Sequence, residues 1–160
     1  MAYRSVDEIE QFSFEDCQIS KVEKTPDGIC FVVDALIVRP QNSQNTQFTE
    51  SYADTAAIQI EQVSNLRVAK EGYRYYDADD RLIEEVPDQP LNEEEITAVL
   101  RQSSGAYLFE VQSQGENLTM RVEFADATDQ DPLASTTYEF KMQYKEIVIT
   151  WDKYLNRVQH

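Results

Sequence analysis

The chain has 160 residues, with 30 Asp or Glu against 14 Lys or Arg and a net charge of −16. Such a surface repels phosphate backbones and anionic lipid. Nucleic acid and membrane are therefore excluded as natural partners, and a basic protein or a cation remains. With 41% apolar residues, 11% aromatic residues and few Gly or Pro, the composition is that of one folded domain over residues 1–160.

Function classes narrow as well. The single histidine is the last residue, His160, a terminal position poorly placed for catalysis. Neither Cys17 nor Cys30 has a histidine nearby in the sequence to activate it, and both are expected to be free, buried thiols. No Gly-rich phosphate loop is present. The stretch Met1 to Asp16 carries Asp7, Glu8, Glu10 and Glu15 where a secretion signal needs a basic end and an apolar run. No apolar run reaches the roughly 18 residues of a membrane span. A cytoplasmic location is expected, with the sequon Asn117-Leu118-Thr119 unmodified.

In chain order, a strand near Cys17–Glu23 leads into the turn Thr25-Pro26-Asp27-Gly28, where Pro fixes φ and Gly admits positive φ. That turn sets Lys24 opposite Ile29 and Cys17 opposite Leu36, a register without a disulfide. The next strand, Ile29–Val38, is apolar at both parities, which predicts cover on both faces; Pro40 ends it. A polar loop, Gln41–Glu50, follows. Ile58, Ile60 and Val63 begin another strand, continued by Leu66 and Val68. Tyr73–Tyr76 and Arg81–Val86 flank Asp77-Ala78-Asp79-Asp80 as a hairpin.

One helix is marked over about 92–103. Asn92 is the N-cap and Glu95 its capping-box partner; Leu91 and Ile96 are the hydrophobic staple, and Gly105 is the expected C′ residue. Strand patterns then return. Tyr107, Phe109 and Val111 share one parity. Leu118, Met120, Val122 and Phe124 alternate with polar residues, as do Tyr138, Phe140, Met142 and Tyr144. Parity flips at Lys145-Glu146 before Ile147, Ile149 and Trp151.

These patterns define a mainly β chain: an antiparallel sandwich or partly open barrel of eight or nine strands with one short helix. The apolar pattern also offers two readings, an internal duplication or two β-hairpins that look alike only because both have a period of two. Ile19, Val22, Ile29, Phe31 and Val33 align with Leu108, Val111, Leu118, Met120 and Val122 at an offset of 89. Val63, Leu66 and Val68 align with Tyr144, Ile147 and Ile149 at an offset of 81, so the second loop is shorter by 89 − 81 = 8 residues. The β units are then 16–68 and 106–151, with a hairpin-helix insertion at 70–105.

Candidate sites follow from residue chemistry. Asp77, Asp79 and Asp80 with Glu84 and Glu85 hint at calcium, but Arg81 and Leu82 occupy positions that need an oxygen ligand and a glycine, so no metal site is expected. Asp126, Asp129 and Asp131 form a second acidic loop. Asp34, flanked by apolar residues, is the carboxylate best suited to a hydrolase, although a structural hydrogen bond is the ordinary use of such a residue. Tyr73, Tyr75, Tyr76, Tyr138, Tyr144 and Trp151 offer stacking surface or simply strand packing. The polar loop is the best recognition segment, with Asn42, Gln44, Asn45 and Phe48 as its binding residues.

The stretch Glu71–Asp80, with Glu84-Glu85-Val86-Pro87-Asp88 and the ending Trp151-Asp152-Lys153-Tyr154-Leu155-Asn156, resembles an uncharacterised family of small bacterial proteins. Some members carry the label subtilin-biosynthesis sensor protein. A sensor kinase would need a phosphoacceptor histidine and a Gly-rich nucleotide site, which this sequence lacks; the resemblance implies a bacterial protein and supplies no catalytic residue. The leading expectation is a non-enzymatic cytoplasmic binding protein with a basic protein partner and no cofactor, as monomer or homodimer. The alternatives are a carboxylate-based hydrolase and an acidic-loop sensor of a small molecule or metal.

Overall fold

In the computed structural model, which describes residues 2–125 and 135–159, the alternating apolar residues form antiparallel strands. The first part of the chain holds β1 (Tyr3–Val6), a 3₁₀ turn (Ile9–Gln11), β2 (Phe12–Ser13), β3 (Gln18–Lys24), β4 (Gly28–Asp34), β5 (Ile37–Val38), β6 (Ser51–Ala53), β7 (Ala56–Glu61) and β8 (Ser64–Lys70). The middle holds β9 (Tyr73–Tyr76), β10 (Leu82–Val86), β11 (Gln89–Pro90) and α1 (Glu93–Arg101). The last part holds β12 (Tyr107–Gln114), β13 (Asn117–Ala125), β14 (Ser135–Gln143), β15 (Glu146–Trp151) and β16 (Tyr154–Arg157). The described residues hold sixteen strand segments against the eight or nine expected, because several are only two to four residues long.

Ten strands form one open sheet in the order β1-β15-β7-β4-β3-β12-β13-β14-β8-β11; no closed barrel is present among the described residues. β2, β5, β6 and β16 form a second sheet, and β9 and β10 a third.

The large sheet repeats itself about its centre. β3-β4-β7-β15 matches β12-β13-β14-β8, so each half contributes its last strand to the other. Register repeats too. In the first hairpin Lys24 faces Ile29, and a bulge at Ser20 then shifts the pairing by one. In the second, Ser113 faces Leu118 and the bulge falls at Phe109, 89 residues after Ser20. Core positions correspond accordingly: Ile19 with Leu108, Ile29 with Leu118, Phe31 with Met120, Val33 with Val122. All eight are buried. The offset of 81 holds for β8 against β15, where Val68 matches Ile149. Ladder register makes it 82 for β7 against β14, where Ile58 matches Phe140. The difference is one extra residue in β8, where Asn65 has a positive φ of 52°.

The bulges correct two expectations. Beyond Ser20 the pairing places Gln18 against Asp34, so Cys17 no longer falls opposite Leu36. Tyr107 and Phe109 do not share an inward face with Val111: Leu108 points into the core while Tyr107 and Phe109 are exposed. Both cysteines are free, Cys17 buried and Cys30 half-buried. Burial pushes the Cys17 thiol up to about 12, which leaves it without nucleophilic character at neutral pH.

The expected long strand Ile29–Val38 breaks at Ala35, whose φ of +59° turns the chain from the large sheet into the second sheet. Cover on both faces is found only beyond the break, where Leu36, Ile37 and Val38 are all buried; β4 is covered on one face. Ile29, Phe31 and Val33 are buried, Cys30 and Val32 are half-buried, and Asp34 is exposed. Trp151, fully buried, joins the two sheets by packing on Tyr3, Phe12 and Tyr154 at ring-centroid distances of 5.5, 5.8 and 6.0 Å.

Helix α1 begins as its sequence predicts. The Asn92 side chain accepts from Glu95 N at 2.9 Å, and Glu95 Oε1 accepts from Asn92 N at 3.1 Å. Ile96, Val99 and Leu100 are its buried stripe. Gly105 is not the C′ residue. The C-cap is Gln102, and Gly105, with φ +89°, carries the chain back so that its N–H donates to Ile19 O at 2.8 Å. Replacing Asn92 with Ala strips the cap acceptor and is expected to cost about 1 kcal/mol. Urea denaturation measures it, and an unchanged midpoint would contradict the cap assignment.

Candidate interaction surface

The polar loop Gln41–Glu50 is packed into the fold, which corrects the expectation of an open recognition loop. Asn42 is only 4% exposed. Its Nδ2 donates to Ser5 Oγ at 3.2 Å and its Oδ1 accepts from Gln44 N at 2.9 Å. Asn45 Nδ2 lies within 3.1 Å of the carbonyl oxygens of Val38, Arg39 and Thr49, while its Oδ1 accepts from the backbone of Gln47 and Phe48. Gln44 contributes its carbonyl, which accepts from the Tyr154 hydroxyl at 2.6 Å. Of the four predicted binding residues, Asn42 and Asn45 are tied down by their side chains and Gln44 by its backbone carbonyl, while Phe48 is 91% exposed.

Glu8 fastens this loop to the start of the chain. Its carboxylate accepts from Ser5 Oγ at 2.8 Å, Ser43 N at 3.0 Å and Ser43 Oγ. Partial burial favours the protonated acid, but the three donors outweigh burial and hold Glu8 below its ordinary value.

The other sequence candidates are scattered. Asp34 is exposed and accepts from Thr55 Oγ1 at 3.0 Å, so it lacks the buried setting that favoured it as an acid. Asp77 Oδ1 caps its own turn by accepting from Asp79 N and Arg81 N at 2.8 and 2.9 Å. No cluster of three His, Cys, Asp or Glu side chains suited to a metal occurs among the described residues. His160, Asp126, Asp129 and Asp131 lie outside the described residues. Trp151 is buried, and Tyr138 and Tyr144 are half-buried, which leaves Tyr73, Tyr75 and Tyr76 as the exposed part of the predicted aromatic set.

Those three tyrosines belong to the β9–β10 ribbon, in which every strand residue is exposed. Tyr73, Tyr75, Tyr76, Leu82, Ile83 and Val86 present 37% to 67% of their surface. Tyr73 and Tyr75 rings lie 4.9 Å apart on one face, and Glu84 and Val86 pair opposite them. Arg74 bonds Glu85 at 3.0 Å on the other face. Gly72, at the ribbon's root, sits where a Cβ would fall 1.8 Å from Val86 O, so only glycine lets the two strands close there. The sequence named this hairpin; it gave no sign that both faces stay uncovered.

A second feature had no sequence signal at all. Among the described residues β3 and β12 pair only at Gln18 and Tyr107, so residues 109–114 of β12 have a paired strand on one side alone. A groove of about 730 Å³ runs along them, bounded opposite by the 3₁₀ turn, β2, Phe14, Glu15 and Arg39.

On the outer face of the same strands Arg121 is held by Glu71 at 2.8 Å, by Glu139 at 3.0 Å and by Glu110. Its hydrogen bond to Glu110, against the cost of burial, raises the guanidinium above its ordinary value; the cation stitches β12, β13 and β14 together.

No family model, curated protein or solved structure matches the chain. No helix among the described residues is long and apolar enough to cross a membrane.

Because Glu8 is held below its ordinary 4.5, its contribution to stability is present above that value and is lost as pH falls through the lower folded value. Replacing Glu8 with Gln is therefore expected to lower stability at pH 7 and to flatten its fall below pH 4.5. Urea midpoints measured across pH check this. Parallel pH curves for the two proteins would contradict it.

Proposed function

We propose that the protein is a cytoplasmic, non-enzymatic binding module that engages a basic protein partner through the β9–β10 ribbon. One observation carries the reading: among the described residues no other strand joins the ribbon, and large apolar side chains are exposed on both its faces, Tyr73, Tyr75 and Val86 on one and Tyr76 and Leu82 on the other, with Ile83 at the bulge between them. Isolated exposed apolar residues are ordinary, but a contiguous group is the usual mark of a contact surface. A two-stranded ribbon is also marginally stable in water by itself, so a partner that covers it stabilises both itself and the ribbon.

Charge supports the choice of partner. Asp77, Asp79, Asp80 and Glu84 belong to the same hairpin, with Glu85 paired to Arg74, and Arg81 as the remaining cation, and the whole chain carries −16. A basic partner is steered toward such a hairpin and its association slows as salt rises. No observation favours the hydrolase alternative, since Asp34 is exposed and hydrogen-bonded by Thr55.

A photo-crosslinking residue placed at Ile83 in living cells tests the proposal, with exposed Lys153 as the control position. The expected result is a discrete adduct to a basic protein at position 83, absent at 153 and lost on Tyr75→Ser. The same adducts at both positions, or none, would overturn it. So would catalytic turnover by the purified chain that disappears when a single carboxylate is neutralised with the fold intact.

A further inference from the structure

We infer that the open edge of β12 is a strand-addition site for an extended, basic segment of a partner protein. The inference rests on the reading of the chain as a protein-binding module but concerns a different surface from the ribbon.

The argument starts at the turn Gly115-Glu116. Gly115 has φ +61°, as the first position of a two-residue hairpin turn requires, and it joins Gln114 to its partner Asn117. The corresponding turn in the first hairpin shows the bonding: Thr25 N donates to Gly28 O at 2.9 Å and Gly28 N to Thr25 O at 3.4 Å. Residues flanking such a turn are a hydrogen-bonded pair, and the pattern alternates along the ladder. Gln114, Gln112 and Glu110 thus bond to β13. Val111 and Ser113 direct their N–H and C=O groups the opposite way, into the groove. Apart from the β13 ladder, neither backbone has a bonding partner among the described residues.

The matching edge of β3 has α1 as its neighbour, with Lys24 of the strand and Ile96 of the helix lining a small pocket between them. The β12 edge is flanked by the 3₁₀ turn and β2 instead, and these leave a groove about 730 Å³ in volume. Unpaired strand groups in a groove suit one kind of ligand, an extended backbone that adds as a further strand.

The lining selects its side chains. Ile9, Phe14, Phe109 and Val111 supply apolar surface, while Glu10 and Glu15 have no ion-pair partner among the described residues. Arg39 is the single cation of the lining. Successive side chains of a strand point to opposite faces, so the fitting segment alternates apolar residues with Lys or Arg. A second copy of this chain fits poorly. Its own β12 edge is recessed behind the same wall, and the two copies would each bring a charge of −16.

The test titrates the purified full chain with a capped peptide of about seven residues alternating Lys and Val, long enough to span the edge. Its companions are a Glu–Val peptide and two copies N-methylated at one or the other alternate set of backbone amides. The Lys–Val peptide is expected to bind and the Glu–Val peptide not to bind. One methylated copy should weaken about tenfold, the worth of one or two net hydrogen bonds, while the other keeps its affinity. Ser113→Pro, which removes an N–H of the open edge and also fixes φ at that position, should weaken the parent peptide to a similar extent. If that variant does not fold, the two methylated copies decide the matter against wild type. Equal affinity for the parent and both methylated copies would show attraction by charge alone and overturn the inference. So would no binding of the parent peptide, or a peptide-free dimer abolished by Ser113→Pro, which would make a second copy the occupant.

Discussion

The large sheet is continuous because β3 meets residues 105–108 at its centre, where a pair of hydrogen bonds stands beside the one from Gly105 N to Ile19 O. Ile19 N donates to Ala106 O at 2.7 Å and Leu108 N donates to Cys17 O at 3.0 Å. The pair is self-symmetric, since Ile19 corresponds to Leu108 and Cys17 to Ala106 at the same spacing of 89. Immediately beyond, the bulges at Ser20 and Phe109 add a residue to each strand, and the strands part. A bulge bends its strand and sharpens the local twist. Much follows from that parting. The two halves close on one apolar core through Phe31, Met120, Ile58 and Phe140, while β3 and β12 each gain an unpaired edge.

The elements that cover those edges break the symmetry. Helix α1 arrives from the 70–105 insertion, held in place by its capping box and by Leu91 N bonding to Val68 O at 2.9 Å. The start of the chain reaches the other edge, and it is anchored elsewhere: Ser5, Glu8 and Asn42 tie it to the polar loop, and Phe12 ties it to Trp151. Polar residues that read as recognition chemistry thus serve to fix the wall of the groove. Unsatisfied buried amides cost about 1–3 kcal/mol each, which explains why Asn42 and Asn45 are so fully bonded. The acidic surface has a physical role as well. It discourages an exposed ribbon and an open edge from meeting their own copies while leaving both open to a basic chain.

Alternation made the strands legible, because a period of two records which face is dry. The Lys24–Ile29 register, the Asn92–Glu95 cap and the Asp77–Asp80 turn were legible for a related reason: each is settled within a few residues. What failed was decided over longer distances. A bulge at Ser20 has no residue signature, so Cys17 was misplaced. Ala35 looks like any strand alanine until its positive φ is seen. The loop Gln41–Glu50 reads as free because its partners, Ser5, Glu8, Val38 and Tyr154, lie elsewhere in the chain. The groove was invisible, because an edge is a missing neighbour and a sequence records only the residues present.

Residue-resolved amide hydrogen exchange in the native state tests this account most directly. The account requires Ile19 and Leu108 amides to be protected to the level of global unfolding, as the bonds that join the halves. It requires Val111 and Ser113 to exchange rapidly while Glu110 and Gln112, on either side of Val111 in the same strand, exchange slowly. Equal protection along residues 110–113 would mean that the β12 edge is already paired, and would contradict the open edge on which the account depends.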